Sequence, residues 1–209
     1  KNPLSSMKTL VQLLEEDMGL PERVRHDCRM VVSEIDRLNH NISQVLRYAK
    51  PARDTDRAVD LVSVVGRVLS LARAEADRRA LELVFEALPG PWPVQGGEEA
   101  ASDIVSNLVV NALEASPPGG TVRVRLGRET AATGRVEFCV EDQGPGVPPE
   151  LRAKIFEPFF TTRPGGTGLG LAIVARRVEE IGGAVECVSP YAGEGPGGAR
   201  FLVRFRATL

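Results

Sequence analysis

The sequence predicts an α-helical hairpin, half of a dimeric four-helix bundle, followed by an α+β two-layer sandwich. Three observations predict it. Apolar residues recur alternately four and three positions apart from Val24 to Val45, the seam of a long packed helix. Residues 121–128 and 135–141 alternate apolar and polar side chains with the period of half-buried strands. Longer stretches with helical periodicity, at about 61–79, 98–115 and 169–181, lie among those strands.

Taken in order, Leu4, Met7, Val11 and Leu14 give a first helix, and Met18-Gly19-Leu20-Pro21 breaks it. The second helix spans about 22–49, on the seam Val24, Cys28, Val31, Ile35, Leu38, Ile42 and Val45. Such a hairpin leaves apolar surface uncovered, which pairing with a second copy would bury, so residues 1–50 are expected to form a homodimer. Pro51 stops the helix, and polar residues 51–58 read as a linker. The second domain, 59–209, reads as a helix (61–79), a strand (81–87), an irregular Pro/Gly-rich stretch (89–97) and a helix (98–115). Strands at 121–128 and 135–141, a helix around 149–155, a helix at 169–181 and strands at 184–188 and 199–206 complete it. Segregated helices and antiparallel strands imply the sandwich.

Composition narrows the function classes. The 209 residues are 43% hydrophobic and 26% charged, with a net charge of -2 drawn from interspersed acids and bases, which points to no nucleic-acid or membrane surface. Cys28, Cys139 and Cys187 are odd in number and widely spaced, and read as buried, reduced thiols. No apolar run reaches the roughly 18 residues of a membrane span. The chain opens at Lys1 without a leader pattern and is expected to be a cytoplasmic fragment of a longer protein, whether or not that parent is membrane-anchored.

The chemistry lies between Asn107 and Gly170. Asn107, Asn111 and Glu114 fall on one face of an apolar helix. Their amides either cap neighbouring loops or offer carbonyl oxygens to Mg²⁺, which keeps waters and shares phosphate oxygens. Asp142, ending a strand, precedes Gly144 and Gly146; this is an ordinary turn, or a carboxylate that accepts a hydrogen bond from an exocyclic amine such as that of adenine. Glycines at 165, 166, 168 and 170, with Thr167 and Leu169, open an apolar helix whose free N–H groups suit phosphate, and Thr162 and Arg163 can add hydroxyl and charge contacts. Phe156, Phe159 and Phe160 are expected to anchor a mobile loop by packing. The spacing matches neither the P-loop nor the dinucleotide-binding motif.

In these motifs the chain resembles sensor histidine kinases, whose ATP-binding domain is of the Bergerat type shared with type II topoisomerases, mismatch-repair ATPases and heat-shock chaperones. The N box is Asn107 to Ala115, the G1 box Asp142 to Gly146, the F box Phe156 to Phe160 and the G2 box Gly166 to Gly170. The resemblance implies that Asn111 coordinates Mg²⁺ with help from Asn107, that Asp142 reads the adenine amine, and that 144–168 is the ATP lid. It also implies phosphate contacts from the N–H groups of Thr167, Gly168, Leu169 and Gly170. Its partner would be a response-regulator receiver domain. Lys1-Asn2-Pro3-Leu4 resembles the tail of the family's phosphoacceptor motif, with the histidine expected upstream and absent here, so the fragment is not expected to phosphorylate itself. Asn2 would then orient water when the regulator is dephosphorylated, its other reading being a helix residue beside Pro3.

The chain departs from the pattern at two places. Hydrolytic relatives carry a glutamate four residues before the Mg²⁺ asparagine, whereas this chain has Asn107, so water attack should be slow. Ala199 replaces a hydroxyl residue, which puts one polar contact in doubt. Glu114, the other acid on the Asn107 face, is either a solvated surface charge or a group ordering a nearby water. His26 and His40 fall off the seam and read as exposed helical histidines. Three other readings stand beside the histidine kinase: a nucleotide-binding dimeric scaffold, an ATP hydrolase of the same fold and a serine-directed protein kinase of the same superfamily.

Overall fold

A computed structural model describes residues 3–17, 19–129, 134–163, 165–190 and 197–208. The chain divides into two compact units, Lys1–Ala49 and Lys50–Leu209. Among the described residues no helix is long and apolar enough to cross a membrane.

The first unit holds α1 (Pro3–Glu16) and α2 (Glu22–Ala49). Between them the Asp17 side chain accepts from Gly19 N–H at 2.8 Å and the Asp17 carbonyl from Leu20 N–H at 3.1 Å, a local turn that doubles the chain back. Lys8 of α1 then meets Asp36 of α2 at 2.6 Å. Of the seven seam residues of α2 only Cys28 and Ile35 are buried, and Val24, Val31, Leu38, Ile42 and Val45 stay open to solvent. His26 and His40 are exposed.

The second unit lays α3 (Leu61–Arg78), α4 (Gly97–Ala115) and α5 (Gly170–Glu180) on one face of a five-stranded sheet. Its strands are β2 (Glu82–Ala87), β4 (Thr121–Arg128), β5 (Arg135–Glu141), β6 (Ala184–Val188) and β7 (Arg200–Arg206), in the order β2-β4-β5-β7-β6. Alternation sorts the faces: Val122, Val124, Val136, Phe138, Val140, Phe201, Val203 and Phe205 point into the core with Ile104, Leu108 and Ala112 of α4. The opposite face is a charged lattice in which buried Glu141 meets Arg125 at 3.1 Å and Arg200 at 3.2 Å.

Several expectations are corrected. The sheet is mixed, because β2 and β4 pair in parallel, as strands joined by a long crossover through a helix can. The Pro/Gly-rich stretch contains β3 (Pro93–Gln95), which pairs antiparallel with β1 (Ala58–Asp60). The helix expected at 149–155 is two 3-10 turns, Pro149–Leu151 and Lys154–Phe156. Pro158, just past the second turn, has no N–H with which to carry a helix onward.

The segment read as a linker is bonded to the second unit. Ala52 N–H donates to Glu180 at 3.1 Å, Arg53 N–H to Glu99 at 3.3 Å, and Gly97 N–H to the Arg57 carbonyl at 2.9 Å. Gly97, at φ +68°, lies so close that a Cβ would sit 2.6 Å from the Asp54 carbonyl oxygen.

Arg177 of α5, 1% exposed, is the centre of this region. Its guanidinium reaches Asp103 of α4 at 2.9 Å, Glu180 at 2.8 Å and the Lys50 carbonyl at 2.8 Å. Burial works against its charge, but the hydrogen bonds it donates to Glu180 and Asp103 hold its pKa above the ordinary value. For Glu180, burial pushes the carboxyl up, but Arg177, the Ala52 N–H and Arg176 hold it below the usual 4.5. Its folded pKa being depressed, its contribution is complete above the ordinary carboxylate range and is lost as pH falls through the folded value. Arg177→Ala takes the ion-pair partner from buried Asp103 and one of two cations from half-buried Glu180, and is expected to cost about 3–5 kcal/mol. Urea unfolding of the second unit, followed by fluorescence of buried Trp92, the sole tryptophan, measures this.

Candidate nucleotide site

The site begins with α4, held apolar side down on the sheet. Asn107 is 7% exposed, and its Nδ2 donates to the Asp103 carbonyl at 2.7 Å, which fixes the amide with its oxygen toward α5. Asn111, one turn on, is half-buried. A Cβ added to Gly170 would meet Asn107 Oδ1 at 3.2 Å and Asn111 Nδ2 at 3.5 Å. The first residue of α5 therefore abuts both amides, and the positive end of that helix, where N–H groups lack intrahelical acceptors, faces them.

Asp142 extends from β5 and is 6% exposed. Its Oδ1 accepts from Gly144 N–H at 2.9 Å and from Ala199 N–H at 3.1 Å. Burial raises the Asp142 pKa, against the two N–H groups and the charge of Arg163. The glycines beside it are sterically required. A Cβ on Gly144 would lie 2.7 Å from the Ala115 carbonyl, and one on Gly198, at φ +127°, 2.2 Å from the Asp142 carbonyl. Gly146, at φ +76°, is closed in by Ser189, whose hydroxyl accepts from Val147 N–H at 2.7 Å and donates to the Gly198 carbonyl at 2.9 Å.

The third wall is the segment 161–169. Arg163 N–H donates to Thr161 Oγ1 at 3.1 Å and Gly166 N–H to the Arg163 carbonyl at 3.2 Å, forming a tight turn that exposes Thr162. Thr167 Oγ1 accepts from Leu169 N–H at 3.3 Å, and Leu169 is buried. Gly168, at φ +67°, passes so close to Phe159 that a Cβ would lie 2.4 Å from its carbonyl carbon. Phe159 N–H donates to the Gly168 carbonyl at 3.0 Å, and Phe159 itself takes φ +66° with its ring 67% exposed. Phe159 is therefore no packing anchor, a correction that follows from this backbone pinning. Phe156 is one: it packs edge-on against Phe201 with centroids 6.5 Å apart.

Arg163 lies across α4. Its Nη1 donates to Glu114 Oε2 at 2.5 Å and its Nη2 to the Asn111 carbonyl at 3.1 Å. Reading the sequence finds neither this pair nor that of Arg177 with Asp103, the residue whose carbonyl holds the Asn107 amide, because each pair joins residues far apart in the chain. Asn2 lies outside the described residues. All three cysteines are free, and burial lifts the thiols of Cys139 and Cys187 to about 11, as inert thiols require. Among the described residues no group of three or more His, Cys, Asp and Glu side chains is placed to hold a metal.

Two amide oxygens beside a helix N-terminus, and a buried carboxylate acceptor on β5, are groups of the kinds that bind phosphate and amine. Residues 96–209, more than half the chain, match the family described as "Histidine kinase-, DNA gyrase B-, and HSP90-like ATPase". The chain is 34% identical over 189 residues to the sensor histidine kinase ZraS of Salmonella typhi, covering 90% of this chain and 40% of that protein. Among solved structures it is similar to the mycobacterial sensor histidine kinase MprB (36% identity, TM-score 0.64, 73% of this chain and 97% of that one). It is also similar to full-length ShkA in complex with AMPPNP (29% identity, TM-score 0.79, 99% of this chain and 44% of that one). The chain therefore belongs to the histidine kinase, gyrase B and HSP90-like ATPase family and carries the catalytic domain of a sensor histidine kinase.

Proposed function

We propose that residues 107–170 bind Mg-ATP, that the γ-phosphoryl group passes to a histidine of the parent protein, and that it is relayed to an aspartate on a response-regulator receiver domain. The observation that carries this reading is the meeting of the Asn107 and Asn111 amides with the N-terminus of α5 at Gly170. That geometry puts a neutral, oxygen-bearing surface beside free N–H groups, where charge on a triphosphate is best held.

Each part has an assigned task. Asn111, supported by Asn107, offers amide oxygen to Mg²⁺, which when bound neutralises charge on the phosphate oxygens. Asp142 accepts a hydrogen bond from the adenine amine with the oxygen lone pairs its two backbone partners leave free. Gly144 and Gly146 let the backbone approach the base, and Thr162, Arg163 and the N–H groups from Thr167 to Gly170 take the phosphates. Because the transferring phosphoryl group needs positioning more than covalent help, such a set suffices for transfer. Hydrolysis is disfavoured, since Asn107 has no proton-accepting group to activate water and its Nδ2 is already committed to the Asp103 carbonyl.

Residues 1–50 serve in this reading as dimerisation and phosphotransfer hairpin, 51–58 as the connection and 59–209 as the catalytic domain. The open seam of Val24, Val31, Leu38, Ile42 and Val45 supports dimerisation. Asn2 is assigned to water positioning in regulator dephosphorylation.

Asn111→Ala is expected to abolish Mg-dependent ATP binding in calorimetry while leaving the helical circular dichroism unchanged; undiminished binding defeats the metal assignment. Asp142→Asn keeps an oxygen for Gly144 and Ala199 while removing a buried charge. Its Tm is expected to hold or rise, while ATP affinity falls about tenfold or more through loss of a charge-assisted hydrogen bond. An unchanged Kd would reduce Asp142 to a loop cap. In the full-length parent, phosphate that is acid-labile and alkali-stable marks histidine as acceptor, and steady phosphate release without it would favour a hydrolase.

A further inference from the structure

Glu114 has no task in the reading above, yet its carboxylate holds the one cation that crosses from the 161–169 turn to α4. Arg163 and Glu114 are 49 residues apart, so this pair is no by-product of helix spacing. It also answers a local electrostatic problem. The last turn of α4 contains no basic residue, and Glu114 adds a negative charge to the end of the helix that is already negative. Arg163 supplies the missing cation twice over, to the carboxylate and to the Asn111 carbonyl.

The same guanidinium is well formed for phosphate. Its planar fork binds two oxygens of a phosphate as readily as a carboxylate and a carbonyl. Both partners are about two-fifths exposed, 41% for Arg163 and 42% for Glu114, so the pair is open to exchange. The backbone of Arg163 is held by Thr161 and Gly166, so the exchange needs side-chain rotation rather than rebuilding of the turn. Asn111, which Arg163 touches, is the proposed metal ligand, so the fork already sits beside the phosphate end of the site.

Resting on the nucleotide reading above, we propose that Glu114 is a positioning residue that competes with the nucleotide's phosphates for Arg163, holding the arginine against α4 in the empty site and releasing it on binding. In the liganded state Glu114 is left at the negative end of α4 without its cation, so its charge opposes nucleotide binding through Arg163. Removing the charge removes the competition.

The test is AMPPNP binding to the 209-residue chain, with Mg²⁺ and at low salt, for the unaltered protein, Glu114→Gln, Arg163→Gln and the double variant. Glu114→Gln is expected to tighten binding about two- to fivefold, the range of an exposed ion pair. Arg163→Gln is expected to weaken it, and adding Glu114→Gln to Arg163→Gln to change nothing further. An equal gain in the Arg163→Gln background means that Glu114 merely repels phosphate, which overturns the competition. Unchanged or weaker binding by the single Glu114→Gln variant overturns it as well. Absence of AMPPNP binding in the unaltered chain overturns the nucleotide reading itself, and the competition with it.

Discussion

The buried guanidinium of Arg177 fixes α5 against α4, and the spatial relation of those two helices is what makes the site. Gly170 at the head of α5 can lie against Asn107 and Asn111 only if the helices hold one register, and the ion pair with Asp103 sets it one turn below Asn107. The same Asp103 residue uses its carbonyl to orient the Asn107 amide. One buried charge therefore braces the apolar layer and, through a single residue, the polar groups above it. Such pairs stabilise a fold little when compared with well-packed apolar side chains, but they are unforgiving of misplacement. Here that property serves geometry: Asp103 satisfies Arg177 in only a narrow range of positions.

Asp142 shows the opposite balance. Its burial makes the ionised carboxylate costly, and two backbone N–H groups offset only part of the cost. The surrounding chain is compressed to hold it, with glycines at 144 and 198 where any side chain would collide with a carbonyl. A fold selected for stability alone would place a neutral residue here. Keeping an acid in a dry, crowded corner makes sense when a ligand completes its hydrogen bonding.

Much of this is legible in the sequence wherever a period is strong. The strands at 121–128 and 135–141 appear within the limits expected because every second residue from Val122 to Leu126 and from Val136 to Val140 is apolar and buried, with mostly polar residues between them. Asn107, Asn111 and Gly170 can be picked out because amides in an apolar helix and glycines opening another are locally anomalous. What is not legible depends on long-range pairing. β2 lies parallel to β4 because of a crossover, not because of its own residues, and β3 is a three-residue strand whose partners, β1 and the bridge at Ala207, are distant in sequence. The exposure of Phe159 follows from the Gly168 backbone passing beneath it, and the partners of Arg163 and Arg177 lie 49 and 74 residues away. An aromatic or an arginine reads the same in sequence whether it is buried, paired or open.

The strand order of the sheet has a consequence for how the second unit comes into being. β7, the last strand of the second unit, lies between β5 and β6 rather than at an edge, pairing with β5 over residues 200–206 and with β6 over residues 200–204. Until residues 200–206 leave the ribosome, β5 has a bare flank and β6 has no neighbour, so α5 and the phosphate end of the site have nothing complete to pack on. The unit must therefore fold late and cooperatively, through contacts distant in sequence, a topology that sets a slow folding rate and rewards a full-length chain.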